Sequence, residues 1–185
     1  MAHGIRHVVV MGVSGSGKTT VARELAAHLG RVVADADDFH PEANIVKMRS
    51  GRPLDDADRW PWLETLAAWI AAHEARGEAT VLACSALRHA YRDVLRRGAP
   101  EVGFVHLTGP PDVLAARMGA RDGHFMPADL LASQLDTLED LAPAEVGLTL
   151  DVRGTPEELA MVAATWASAP PAGRRSGSRS QASQS

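Results

Sequence analysis

Nine residues near the start of the chain constrain it more than any other feature: Gly12, Val13, Ser14, Gly15, Ser16, Gly17, Lys18, Thr19 and Thr20. The first eight fit G-x-x-x-x-G-K-[S/T], a turn whose backbone N–H groups cradle phosphate oxygens. The context is the one that motif requires. The β-branched run His7–Met11 precedes it as a buried strand, and Lys18–Leu29 follows as a helix with Val21, Ala22, Leu25 and Leu29 at helical spacing. The helix N-terminus adds partial positive charge, Lys18 reaches the β- and γ-phosphates, and the Thr19 hydroxyl is a ligand for Mg²⁺. A nucleoside triphosphate with magnesium is therefore expected. The loop alone does not say where the γ-phosphoryl goes. The chain has no guanine-reading N-K-x-D segment, and its 185 residues are few for a motor or transport ATPase. A kinase of small molecules fits.

Beyond the loop, strand-like and helix-like segments alternate. Further strands are expected at Arg31–Ala36, Thr80–Cys84, Gly103–Leu107 and Val146–Val152. Helices are expected at Pro41–Met48, Asp58–Arg76, Ala86–Arg97, Pro111–Arg121, Pro127–Leu138 and Pro156–Trp166. The pattern implies βαβ units and a five-stranded parallel sheet covered by helices, an α/β fold in one domain over residues 1–167. Ligands in such sheets bind beyond the carboxyl ends of the strands. The segment 168–185 is rich in Ser, Gly, Pro and Arg and reads as a disordered tail. Net charge is −4, and the tail holds three Arg and no acid, so the body is more acidic still. This argues against nucleic acid as a partner. No apolar run is long enough to span a bilayer, and the single Cys84 excludes an intramolecular disulfide framework; a cytoplasmic location away from membranes is expected.

Chemistry is sought after each strand. Asp37 is a candidate to take the proton of an attacking hydroxyl or to hold a magnesium-bound water; Asp35, Asp37 and Asp38 could equally be a solvated turn and a cap. His40 suits a polyol or carboxylate hydrogen bond, or a structural role. The 19 basic residues comprise 17 Arg and only two Lys, Lys18 and Lys47. Lys47 and Arg49 form either an anion site or a solvated face. Asp55, Asp56, Asp58 and Arg59 read as a helix start. Ser85 and Arg88 face the ligand side by topology. Cys84 reads as a buried small residue, since no activating base is evident. Arg117 and Arg121 share a helix face and lead into Asp122–Met126, which suits a lid over ATP. One guanidinium would stack on adenine and the other neutralise phosphate, which puts Arg121 with Lys18 and Asp37 among the catalytic candidates.

Together these segments resemble the gluconokinases of the P-loop type. The matching strings are GVSGSGKT at Gly12, DDFHPEANIVKM at Asp37, SGRPLDDADRWPWL at Ser50, CSALRHAYRDVLR at Cys84 and RDGHFMPADLLASQLDTLE at Arg121. The resemblance implies a P-loop NTPase fold with an adenylate-kinase-like core and a small lid. It also implies transfer from ATP to the 6-hydroxyl of D-gluconate, Mg²⁺ dependence and a homodimer. By position it makes Asp37 the base or hydroxyl-orienting group, and His40, Lys47, Arg59, Ser85 and Arg88 substrate-side candidates. Three positions depart from the family pattern: Arg88 where Lys is common, Ala36 where Gly is common, and Asp140-Leu-Ala-Pro143 where a proline comes sooner. Shikimate kinases share the architecture, but the HPxxNIxKM pattern favours gluconate. A nucleotide-binding regulator without turnover is disfavoured by the intact Lys18, Thr19 and Asp37.

Overall fold

Five strands, β1 (His7–Met11), β2 (Val32–Asp35), β3 (Thr80–Ala83), β4 (Val102–Thr108) and β5 (Gly147–Asp151), pair in parallel in the order β2-β3-β1-β4-β5. The computed structural model describes residues 4–119 and 128–169. The register sets Val10 beside both Ala83 and Val105, and Asp35 beside Ala83. Among the described residues, seven helices connect or flank the strands: α1 (Lys18–Leu29), α2 (Glu42–Arg49), α3 (Asp56–Ala75), α4 (His89–Arg96), α5 (Pro111–Gly119), α6 (Ala128–Thr137) and α7 (Pro156–Ser168). Among the described residues no helix is long and apolar enough to cross a membrane.

The period-2 alternation of a strand divides the core in two. Val8 and Val10, with Val81, Val105 and Leu107, pack against Leu25 of α1, Leu114 of α5, Leu131 of α6 and Ala163 of α7. Val9 and Met11, with Leu82 and Phe104, face Leu63, Leu66 and Ile70 of α3 and Leu95 of α4. The central strands are buried on both faces, which is why they read as continuous apolar runs. The edges differ. On β2, Val32 and Val33 are each about two-fifths exposed, and β5 alternates between exposed and half-buried residues.

Several boundaries depart from the sequence expectation by a residue or more, and three of them have a clear local reason. The second strand stops at Asp35 because its carboxylate accepts the Asp37 N–H at 3.1 Å and turns the chain into a 3-10 turn, Ala36–Phe39. The third helix starts at Asp56 rather than Asp58, since Asp55 is its cap and forms a capping box with Asp58. The fourth helix starts at His89, not Ala86. Ala86 is the one described non-glycine residue with positive φ (45°), and Arg88 is extended at the cap. The last helix runs to Ser168, one residue past the expected domain end, and residues 170–185 lie outside the described residues.

The strained Ala86 is held by Arg92, whose side chain is fully buried. The guanidinium donates to Ala86 O at 3.0 Å, Glu139 O at 3.1 Å and Asp140 O at 3.2 Å. It also grips both carboxylate oxygens of buried Glu145, at 2.7 and 3.0 Å. Burial alone would raise the Glu145 pKa, but hydrogen bonds from Arg92 and the Ala142 N–H outweigh it and bring the carboxyl down to about 2. A pKa depressed in the fold stabilises above the ordinary carboxylate range, and that contribution is lost as pH falls towards 2. Removing one partner of such a buried pair costs about 3–5 kcal/mol, so Arg92→Met is expected to lose that much in urea unfolding. Acid titration of Glu145→Gln is expected to show a smaller stability loss below pH 4.5 than the parent chain.

Candidate active site

The loop after β1 closes tightly at two glycines. A Cβ on Gly12 (φ 145°) would stand 2.5 Å from Leu107 O and 2.9 Å from Ser16 Oγ; on Gly15 (φ 80°) it would stand 2.6 Å from Leu114 O. Only glycine lets the loop press against β4 and α5 in this way. The loop is also tied to β3, since the Gly12 N–H donates to Ser85 O at 3.3 Å. Gly17 caps α1 in the left-handed conformation, and Lys18 Nζ donates to Val13 O at 3.0 Å. Ser16 is fully buried, and its hydroxyl has no hydrogen-bond partner among the described residues. An orphaned buried hydroxyl is costly unless a ligand satisfies it, and a phosphate oxygen bound in the loop would do so.

Thr19 and Thr20 lie in the first turn of α1, and Thr19 Oγ1 donates to Asp35 Oδ2 at 2.7 Å. Asp35 thus holds the threonine hydroxyl with one oxygen and the Asp37 N–H with the other. Sequence alone reads Asp35 as a strand residue or part of a solvated turn and gives it no such role. Its position at the carboxyl end of β2, across from the loop, is the signal that could have found it. Among the described residues no group of three His, Cys, Asp or Glu side chains converges as a metal site. A hydroxyl and a carboxylate oxygen side by side are hard donors that suit Mg²⁺, which keeps waters and takes few protein ligands.

Asp37 presents its carboxylate to the surface, with 87% of its side chain accessible, 3.9 Å from His40 Nε2. Its pKa is raised, first by desolvation from the surrounding protein and then by Asp35; Lys18 and His40 oppose the rise. His40 stacks on Trp62 with centroids 4.3 Å apart and planes 14° off parallel. Burial lowers its pKa, Asp37 opposes that, and Arg59 adds to it. Trp62 Nε1 in turn donates to Ala36 O at 2.8 Å, so the indole supports both the turn that carries Asp37 and the imidazole beside it. Asp38 lines a neighbouring cleft with Thr19, Asp35 and Arg23.

A second cluster forms where α3 meets α4. Arg59 Nη1 donates to the Tyr91 hydroxyl at 3.0 Å, and Arg88 Nη1 donates to Asp56 Oδ2 at 3.1 Å. The Tyr91 hydroxyl donates to Asp56 Oδ1 at 2.5 Å. Both guanidiniums lie near the ring, 5.6 and 5.8 Å from its centroid. Lys47, by contrast, is engaged by Asp55 at 3.0 Å and by Asp58, the two carboxylates that cap α3. The hydrogen bonds it donates to Asp58 and then to Asp55 raise its pKa. Ser85 lends its carbonyl to Gly12, and burial pushes the Cys84 thiol up to about 12, which removes it as a nucleophile. Arg117 sits half-buried on α5, whereas Arg121 and Asp122–Met126 lie outside the described residues. The backbone after β5 serves a helix start, with Thr155 and Glu158 forming a capping box on α7.

A family model described as an AAA domain matches residues 8–127. The gluconokinase of Gluconobacter oxydans (strain 621H) is 51% identical over 134 residues, spanning 72% of this chain and 75% of that protein. The chain belongs to the gluconokinase family. Two solved structures agree with that placement. An unliganded sugar kinase from Janibacter sp. HTCC2649 superposes with TM-score 0.83 at 56% identity, covering 87% of this chain and 93% of that one. A gluconokinase from Sinorhizobium meliloti 1021 does so with TM-score 0.81 at 43% identity, covering 89% and 92%. As a gluconokinase-family member the chain is an ATP-dependent phosphotransferase with a small-molecule acceptor.

The raised Asp37 pKa has a consequence for stability. Its contribution is favourable below the ordinary carboxylate range and is lost as pH rises through the raised value. Asp37→Asn is therefore expected to melt at or above the parent temperature at pH 7.5, with the gap closing towards pH 4. Thermal melts across that range check it.

Proposed function

We propose that the chain transfers the γ-phosphoryl group of ATP to the 6-hydroxyl of D-gluconate, with Asp37 as base. What supports this reading is a carboxylate, Asp37, on the turn after β2 beside the phosphate loop, close enough to Lys18 for the ammonium to lower its pKa against burial and Asp35. The hydroxyl oxygen attacks the γ-phosphorus as the bond to the β,γ-bridging oxygen breaks. ADP leaves with that electron pair, and the hydroxyl proton passes to Asp37. Lys18 turns from Val13 O to the β- and γ-phosphates, and the loop N–H groups and the α1 N-terminus hold the phosphate charge. Thr19 Oγ1, positioned by Asp35, would hold Mg²⁺, which supplies charge neutralisation across the phosphates. Arg117 and Arg121 would close over the nucleotide.

On the acceptor side, His40, Ser85, Arg59 and Arg88 are proposed to meet the sugar acid. The support is His40 beside Asp37 and the paired guanidiniums at Tyr91. Lys47 is proposed to contribute at the rim, through the α3 start that it holds. The enzyme is further proposed to work in the cytoplasm, which suits its buried free thiol, and as a homodimer, which rests on family resemblance and is read by light scattering.

The testing experiment follows ADP formation with Mg²⁺, with and without D-gluconate, and 6-phosphogluconate through NADP⁺ reduction by its dehydrogenase. Signal that needs both ATP and gluconate is expected; ADP formation indifferent to gluconate would overturn the acceptor. Asp37→Asn is expected to keep ATP binding while kcat falls by about 10²–10⁴, the usual worth of general base catalysis. Lys18→Ala is expected to lower kcat/KM for ATP, and unchanged activity would contradict the role of the loop.

A further inference from the structure

The phosphate loop receives one contact that its motif does not anticipate. The Ser14 N–H donates to Gln134 Oε1 at 2.6 Å, across 120 residues of chain. The donor is a backbone amide, so the accepting atom of the carboxamide must be its oxygen. Gln134 lies on α6, three residues after Leu131 and four before Leu138. Those two leucines and Leu135 pack into the same core as Val13 and Leu114. The helical phase that buries them therefore turns Gln134 to the loop. Gly15, next in the loop, leaves no room for a Cβ against Leu114 O and Met118 of α5.

We infer that Gln134 is a positioning residue for phosphoryl transfer: its carboxamide oxygen fixes the crest of the phosphate loop through Ser14. Hydrogen bonds at the crest run from Ser16 N–H to Val13 O at 3.3 Å, from Lys18 Nζ to Val13 O at 3.0 Å, and from Ser14 N–H to Gln134. In the kinase reading proposed above, on which this inference rests, Lys18 leaves Val13 for the phosphates. The bond from α6 then keeps the crest in place while nucleotide is bound. A neutral carboxamide suits that place, because a carboxylate at the same reach would set negative charge beside the phosphates.

The test compares Gln134→Met, of similar length without an acceptor, and Gln134→Glu, which keeps an acceptor oxygen. Gln134→Met is expected to speed amide hydrogen exchange in the free enzyme's loop, residues 12–17. It is also expected to lower kcat/KM for ATP about three- to tenfold, the range of one hydrogen bond. The KM for gluconate and the melting temperature without ligand should stay near the parent values. Gln134→Glu is expected to retain the slow exchange of the loop yet weaken ATP through its charge. Three outcomes would overturn the inference. In one, loop exchange and ATP kinetics are unchanged in Gln134→Met. In another, the loss is confined to the KM for gluconate. In the third, Gln134→Glu exchanges as fast as Gln134→Met. Gluconate-dependent ADP formation by the parent enzyme is the control. If it is absent the proposed function fails, whereas the exchange comparison still decides the role of Gln134 in the loop.

Discussion

Parallel pairing of β1 with β3 sets Val10 beside Ala83, and the reacting groups depend on that register. It brings the first residue past β1 against the second residue past β3, so that Gly12 N–H finds Ser85 O. The pairing of β2 with β3 sets Asp35 beside the same Ala83. Three strands thus end on one line. The phosphate loop after β1, the Asp35–Asp37 turn after β2 and the Cys84–Arg88 loop after β3 form one face. A slip of one residue would exchange the two faces of β1 and carry the start of the loop away from Asp35. The apolar alternation that buries Val8 and Val10 on one side and Val9 and Met11 on the other is what forbids the slip.

Charge on that face is unbalanced in the free protein in a way that a ligand corrects. Asp35, Asp37 and Asp38 act on one another and on Lys18, and the raised pKa of Asp37 reflects desolvation by the surrounding protein and then the repulsion by Asp35. Triphosphate brought there alone would add more negative charge. On the proposed reading a cation would accompany the nucleotide, and the Thr19 hydroxyl, already held by a carboxylate, would be the group to receive it.

The parts of the fold legible in the sequence are those set by local physics. The phosphate loop, the β-branched strands and the acidic starts of α3 and α7 each arise from neighbouring residues. The 3-10 turn after β2 escapes such reasoning because it hangs on one side chain, Asp35, folding back on its own backbone. Arg92 and Glu145 stand 53 residues apart, and Gln134 and Ser14 stand 120 apart. Such pairs arise from how helices are phased against the sheet, and no local pattern announces them. Lys47 shows the opposite case. It stands out by composition in a chain with two lysines, yet its ammonium is engaged by the carboxylates that start α3.

Arg88, at a position where the family resemblance leads one to expect Lys, also has a physical reading. A lysine there could meet Asp56 only as a point charge. The guanidinium does so with one nitrogen, Nη1, while it also lies 5.8 Å from the Tyr91 centroid. Its remaining N–H groups form a planar fork. Arg59 approaches the same ring, so the cluster among the described residues holds two guanidiniums against one carboxylate, Asp56. On the proposed reading, the N–H groups that these guanidiniums do not spend on Asp56 and Tyr91 are the donors a carboxylate on the acceptor would meet, while Asp37 and His40 act at the reacting hydroxyl.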